Sequence, residues 1–364
     1  MQNNYADIVI IGGGVIGASV AYFLSKQGAN PFLLEEENIA RGASGKAGGI
    51  LTPFAPAETP ELKDLLTRSL VLHQELAEQL DGKNRYDYRK YEALTVASNQ
   101  DDAIKLREER LTTETEWLEN NEIQAMHGWV NRETHGGVRF INHQLNPEAF
   151  TKKLMMETVD RGGAFDFLEV TGLLINKNKV EGVKTKAGTI FTEKVVLATG
   201  PWIQKPEKWL DIKIPIFPLK GEILRMQVPN PPANGFSDLR GNYVLTKPNG
   251  LVFVGTTEDA VGFNIRTTHN AKERILKSIS HYTSHLKDAV LVEQTACLRP
   301  VSRDNLPIIG EVTNIKGVYI ATGHGRKGIA LSLATGEAIS ELITTGESSL
   351  DLNDFRINRS FKAK

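Results

Sequence analysis

The sequence predicts an α/β protein, α+β over its full length, with a parallel sheet and its helices in one domain and a mainly antiparallel sheet in a second. Three observations carry this. An apolar run, Ile8-Val9-Ile10-Ile11, breaks at Gly12-Gly13-Gly14-Val15-Ile16-Gly17 and continues into a helix-type segment. A second unbroken apolar run at 195–198 reads as a buried parallel strand that returns to the first sheet. Between 214 and 299 the pattern changes to alternating strands with turn signals such as Pro248-Asn249-Gly250.

The first element is strand, tight turn and helix. Gly12 lets the chain turn, Gly14 removes the side chain that would block a pyrophosphate, and Gly17 lets the helix pack closely on the strand. The helix amides then face the phosphates. The apolar run 31–34 ends on Glu35, eighteen residues past Gly17, where a carboxylate can accept hydrogen bonds from a ribose diol. A bare G-x-G-x-x-G is a weak signal. With the strand before it, the helix after it and the acid at this distance, it makes a Rossmann-type dinucleotide unit. NAD and FAD proteins both use that unit, so these residues leave the dinucleotide open.

Residues 41–51 follow, with Gly42, Gly45, Gly48 and Gly49 among other small side chains, a stretch that can lie flat against a planar ligand. An ordinary flexible loop is the alternative. Leucines spaced along 61–80 predict an amphipathic helix, and 101–121 reads as a charged surface helix ending at Trp117-Leu118. Asn146 as N-cap and Pro147 at the first helical position start another helix, which Gly162-Gly163 stop. Short strands are expected at 165–170, 173–176, 180–185 and 194–198, the last running into Thr199-Gly200-Pro201-Trp202. Further on come strands at 243–245 and 251–254, a helix at 271–286, and a strand at 318–321. A glycine loop, Gly323-His324-Gly325-Arg326-Lys327-Gly328, then opens an amphipathic helix over 329–343. The basic tail 355–364 is expected to be loosely held. The nucleotide-binding domain is therefore discontinuous, 1–83, 143–213 and 296–364, and the substrate-binding domain comprises 84–142 and 214–295.

At 364 residues the chain has ample core for two domains. Its 43 basic and 44 acidic residues leave a net charge of -1, which argues against nucleic acid or an anionic membrane as partner. The single cysteine, Cys297, rules out an intrachain disulfide and suits a reducing cytosol. No apolar run is long enough to span a bilayer, and the chain enters its first strand without a charged leader. The expectation is a cytoplasmic protein with no integral membrane association; a homo-oligomer is allowed. His281 and His285, four apart on an expected helix, lack a third ligand, so a solvated helix surface is expected and no metal.

Taken in order, the Gly12/Gly14/Gly17/Glu35 unit, Arg41-Gly42-Ala43-Ser44, Ala198 to Trp202, Leu298-Arg299-Pro300 with 304–310, and 323–329 resemble the D-amino acid oxidase superfamily, and within it the glycine oxidases. The resemblance runs the length of the chain and implies FAD rather than NAD. It assigns Gly12, Gly14, Val15, Ile16 and Gly17 to the pyrophosphate turn, Glu35 and Glu36 to the adenosine ribose, and Val170 to the adenine. Ala43, Ser44, Gly48, Gly49 and Ile50 fall on the flavin side, with Gly200 among the cofactor-binding residues. His324, Gly325, Arg326, Lys327, Gly328, Ile329 and Ala330 lie against the ring, where a helix N-terminus would stabilise negative charge.

For the substrate, the resemblance points to Arg299, Tyr243 and Arg326. A guanidinium fork can hold an amino-acid carboxylate in a bidentate pair and so fix the Cα–H for hydride departure, with Tyr243 donating to the same carboxylate. A surface cation and a half-buried core tyrosine are the plainer readings of Arg299 and Tyr243. The implied reaction is oxidation of a small amino acid or secondary amine of the glycine, sarcosine or D-amino acid type, with O2 as acceptor. Lys46, Arg326 or Lys327 would supply the positive charge that oxygen reduction favours. A dehydrogenase of D-amino acids, proline or 2-hydroxy acids with another acceptor, and a flavin-binding module serving a protein partner, are the alternatives. Two departures stand out: Gly325 and Lys327 replace a bulky aromatic and an asparagine in the ring-facing loop. Cys297 has the spacing of the cysteine that bonds flavin covalently in monomeric sarcosine oxidases; non-covalent FAD is expected, with Cys297 a small residue at a strand end.

Overall fold

The computed structural model describes residues 5–55, 57–80, 86–131 and 133–361. From the N-terminus, β1 (Ile8–Ile11), buried along its whole length, leads into α1 (Val15–Lys26) and β2 (Pro31–Glu35). The short α2 (Ala43–Lys46) precedes α3 (Pro60–Gln79), which starts on Thr59, whose Oγ1 accepts from the Leu62 amide at 3.3 Å. Then come β3 (Arg89–Val96), α4 (Gln100–Arg110), β4 (Glu116–Leu118), α5 (Asn120–Met126) and β5 (Gly137–Gln144). Asn146 caps α6 (Pro147–Asp160), accepting from the Ala149 amide at 3.2 Å. Next are β6 (Ala164–Phe167), β7 (Val170–Asn176), β8 (Lys179–Thr185), β9 (Gly188–Phe191), β10 (Val195–Leu197) and α7 (Gln204–Leu210). β11 (Ile216–Gln227), β12 (Gly235–Asp238), β13 (Tyr243–Thr246) and β14 (Val252–Gly255) precede α8 (His269–Ser280). β15 (Val290–Ser302), β16 (Ile308–Glu311), β17 (Val318–Thr322) and α9 (Gly328–Thr344) close the chain.

The chain divides into two compact units, Met1–Tyr86, Leu145–Leu219 and Leu298–Lys364 in the first, Asp87–Gln144 and Lys220–Cys297 in the second. In the first, six strands run in the order β16-β17-β10-β1-β2-β6. All pairs are parallel except β16 with β17. Val9, Ile11, Val195, Leu197, Val318 and Ile320 share one core, which is why those strands read as unbroken apolar runs. A three-stranded antiparallel sheet, β7-β8-β9, accompanies it. Across its other face α1 meets α9, and α3 is tied to α9 by Arg68, whose Nε and Nη2 reach the two Glu337 carboxylate oxygens at 2.8 and 2.7 Å.

The second unit is built on the eight-stranded sheet β15-β11-β14-β13-β12-β3-β5-β4. Among the registered pairs only β12 with β3 is parallel. One face packs Leu94, Val96, Leu224, Val244 and Val254 against Ile275 and Ile279 of α8.

Four expectations change at this level. The charged helix ends at Arg110, and Glu116–Leu118 is a strand paired with β5; Leu111-Thr112-Thr113 release the helix, and Trp117 Nε1 donates to Glu119 at 2.8 Å. α8 stops at Ser280, short of 286, so His281 caps it and His285 lies beyond, with its ring on Trp129 at 4.9 Å and Nε2 3.0 Å from the Gly128 carbonyl. The strands expected at 165–170 and 173–176 are divided differently, as β6 and β7. The tail is anchored: Phe355 is fully buried, and Arg359 donates from Nε and Nη2 to Asp304 at 2.8 and 2.9 Å. The expected domain boundary at 83/84 lies outside the described residues.

Candidate active site

Three glycines of the first turn are needed for different reasons. Gly12 has φ +116°, and a Cβ there would stand 2.4 Å from the Ala198 carbonyl oxygen; one on Gly17 would stand 2.0 Å from the Gly12 carbonyl oxygen. Both are demanded by the protein itself. Gly14 has φ -76° and ψ 174°, a conformation open to any residue, and its Cβ would meet only Ser44 Oγ, at 3.3 Å. Nothing in the backbone requires glycine at 14. The bare surface there is the cradle that a pyrophosphate fills in a dinucleotide site, so the residues present fit the group the sequence implied.

The remaining parts of that cradle meet at the carboxyl edge of the six-stranded sheet, where ligands of parallel α/β sheets bind. Glu35 ends β2 and accepts from the Gly13 amide at 2.6 Å and the Glu37 amide at 3.1 Å. Burial lifts its carboxyl above the ordinary value, opposed by the amides of Gly13 and Glu36. The two amides leave further lone pairs on the carboxylate for a diol. Val15 and Ile16 open α1, and the Val15 amide donates to Ser44 Oγ at 2.9 Å, which joins the second glycine stretch to the first. Residues 42–48 are all half-exposed, and α2 buries none of its side chains. Gly49 has a structural role as well, since its carbonyl accepts from the Leu145 amide at 2.9 Å. Glu36 pairs with Lys205 at 3.3 Å, and Lys205 reaches Glu169, the neighbour of Val170, at 3.2 Å. Gly200 is held beside β17 by Thr322, whose hydroxyl donates to the Gly200 carbonyl at 2.9 Å.

His324 leaves β17 for α9 and is buried. Thr335 Oγ1 donates to the Leu331 carbonyl at 2.9 Å, so the 3.0 Å contact with His324 Nε2 makes that nitrogen the donor. Its Nδ1 has no hydrogen-bond partner among the described residues, and burial pushes the imidazole down to about 3. The ring is neutral at physiological pH. Lys327, just before α9, pairs with Glu58 at 2.7 Å, which offsets one of the three cations considered for oxygen chemistry. Gly325 and Arg326 occupy the short 3-10 turn before α9, with Arg326 exposed. Gly328, Ile329 and Ala330 form the first turn of α9, and His73 of α3 contacts the Ile329 carbonyl at 3.0 Å.

Of the expected substrate residues, Arg299 lies half-buried near the end of β15 in the first unit, and Tyr243 opens β13 in the second. Lys205, Glu169 and Glu58 were not singled out in the sequence. Glu36 and Lys205 are 169 positions apart and Glu58 and Lys327 are 269 apart, so no local pattern could announce them. Among the described residues no group of three or more metal-type side chains gathers, and no helix is long and apolar enough to cross a membrane.

A family model described as FAD dependent oxidoreductase matches residues 7–342. A glycine oxidase of Geobacillus kaustophilus is 26% identical over 372 residues, covering 99% of this chain and 98% of its own. A crystal structure of glycine oxidase from Geobacillus kaustophilus superposes with a TM-score of 0.92 at 24% identity over 98% of this chain and 99% of that one. The hydrogen cyanide synthase subunit HcnC of Pseudomonas protegens is 27% identical, covering 97% and 96% of the two chains. An L-proline dehydrogenase from P. horikoshii has the same fold, with a TM-score of 0.90 at 22% identity over 98% and 97%.

Proposed function

The chain belongs to the FAD dependent oxidoreductase family, and within it we propose an enzyme that oxidatively deaminates a small amino acid or secondary amine of the glycine, sarcosine or D-amino acid type. The observation that carries this is the end-to-end likeness to a glycine oxidase, 26% identity over 99% of this chain, on a fold whose pyrophosphate cradle is intact. FAD, which the 12–17 turn, Glu35 and the 42–50 and 323–330 stretches would hold, would supply a two-electron acceptor for the substrate's Cα hydride and a route for the electron pair to O2, so that the amine would leave as an imine that hydrolyses and O2 as hydrogen peroxide. Arg299 holds the substrate carboxylate as a bidentate pair, with Tyr243 and Arg326 as further donors to it. Their work is positioning: a fixed carboxylate sets the Cα–H toward the acceptor, and a neutral amine assists hydride departure without a protein base. FAD is held without a covalent link. The lone thiol, Cys297, supports a reducing compartment such as the cytoplasm.

The test is anaerobic reduction of the bound flavin by glycine, sarcosine, D-alanine, D-proline, L-proline and 2-hydroxyglutarate. Bleaching by one or more of the amines, followed in air by stoichiometric peroxide, is the expected result; bleaching by the hydroxy acid alone overturns the amine assignment. The shared fold with an L-proline dehydrogenase favours one second reading, a different electron acceptor. Reduced flavin that persists in aerated buffer and is reoxidised only by a dye or quinone would replace the oxidase with that dehydrogenase.

A further inference from the structure

We propose that Gly255 is a positioning residue for Tyr243, the seat that fixes where its hydroxyl lies; this rests on the reading that Tyr243 donates to the substrate carboxylate. The two residues are direct antiparallel partners, Tyr243 on β13 and Gly255 on β14, and Gly255 is also the partner of Ile223 on β11. A glycine in a strand paired on both sides gives up strand propensity and packing, so it needs a reason. Its φ does not provide one, because Gly255 is absent from the positive-φ glycines; the peptide bond that follows it, to Thr256, is cis.

Space provides one. A Cβ on Gly255 would stand 2.8 Å from Tyr243 Cε1, 2.8 Å from Cζ and 2.9 Å from the hydroxyl oxygen. All three atoms belong to the outer end of one rigid ring, so the phenol lies across the bare Cα with its polar tip included. Ordinary contact with a Cβ begins at 3.4 Å, so any side chain at 255 drives that edge of the ring out by 0.6 Å or more. Gly235, on the neighbouring β12, is crowded less tightly, by Leu245 Cδ1 at 3.0 Å and Tyr91 Cε2 at 3.1 Å. The ring can swing without unfolding the sheet, because Val244 and Val254 on the opposite face stay in the core. The consequence is therefore a displaced hydroxyl. Displacements of this order at a positioning group are felt strongly in catalysis, up to about a hundredfold for 1 Å.

The experiment is a double-mutant cycle on the holoenzyme with the best amino acid from the panel, using Gly255→Ala, Tyr243→Leu and both together, joined to fluorine NMR of protein carrying 3-fluorotyrosine. Gly255→Ala should raise KM roughly tenfold with a smaller change in kcat, and should change it less than about twofold once Tyr243→Leu has removed the ring. The Tyr243 resonance, identified by its loss in Tyr243→Phe, should move in Gly255→Ala. An equal penalty in both backgrounds, or an unmoved resonance, overturns the proposal. Unchanged kinetics in Tyr243→Leu itself would instead remove Tyr243 from substrate binding. The resonance would then still report whether Gly255 seats the ring.

Discussion

Gly14 and Gly17 are three residues apart and would fail differently on substitution. A valine at 17 would drive its Cβ into the Gly12 carbonyl, 2.0 Å away, and should prevent folding. The Cβ of a valine at 14 meets only the Ser44 hydroxyl oxygen, at 3.3 Å, and the side chain would fill the space a pyrophosphate needs. Gly14→Val is therefore expected to give folded, colourless protein with unchanged circular dichroism, and yellow protein retaining one FAD per chain would refute it. Arg299 is argued from charge instead of space. On the proposed role of Arg299, Arg299→Ala would remove a charge-assisted bidentate contact, on the order of 2 to 4 kcal/mol of transition-state binding, or roughly thirty- to a thousandfold in kcat/KM on amino acids. Steady-state kinetics on the best substrate checks it, and unchanged values would place the arginine outside the site. The glycines were legible in the sequence because their roles are local, within a turn of six residues. Gly255 was not: the atoms that demand it belong to a tyrosine on the next strand.

At the scale of elements, the β17–α9 loop carries a titration that should be measurable. Burial holds His324 at about 3 against an ordinary 6.5, so between those values the unfolded chain binds a proton that the folded chain refuses. Stability is then fully present above about pH 6.5 and falls as the pH drops toward 3, by on the order of 3 to 5 kcal/mol for this one group. In urea unfolding between pH 4 and 7.5, His324→Gln should keep the donor to Thr335 and flatten the acid loss relative to wild type; parallel curves would show that His324 titrates normally. The tail gives the complementary case. Burial alone would raise the Asp304 carboxyl, but the Arg359 guanidinium and the Ser302 and Leu306 hydrogen bonds hold it below the usual aspartate value. Its contribution is present above that value and lost as pH falls through the lowered one. Arg359→Ala leaves the buried carboxylate unpaired and should cost about 3 to 5 kcal/mol, seen as a fall in Tm at neutral pH that narrows in acid. Elements with local signals were legible, as with the Asn146-Pro147 start of α6. Those defined by distant partners were not: Glu116–Leu118 carries a helix-like composition and becomes a strand by pairing with β5.

At the scale of the molecule, the first unit is assembled from three stretches separated by the strands of the second unit. The apolar run of β10 announced that the chain returns to its first sheet, since such runs belong to strands covered on both faces. What joins the stretches at the ligand edge was not visible: Thr322 to Gly200 and Lys205 to Glu36 cross between them, and Ser44 to Val15 and Lys205 to Glu169 are long-range contacts within one stretch. A dinucleotide lying along that edge would touch the 12–17 turn, the 42–50 stretch, the start of β7 and the 323–330 loop, and so would add contacts among segments of all three stretches that the sheet brings to one edge. Its binding energy is then folding energy for this unit, growing as RT ln(1 + [FAD]/Kd), about 4 kcal/mol at a thousandfold excess over Kd. Protein stripped of FAD should melt several degrees below the holoenzyme, with Tm rising in proportion to log[FAD] on titration. Protease should cut the stripped form first within 42–50 and 323–328, and FAD should suppress both cuts together. A Tm that ignores FAD, or cuts that persist at saturation, would mean that the cofactor does not tie these segments together.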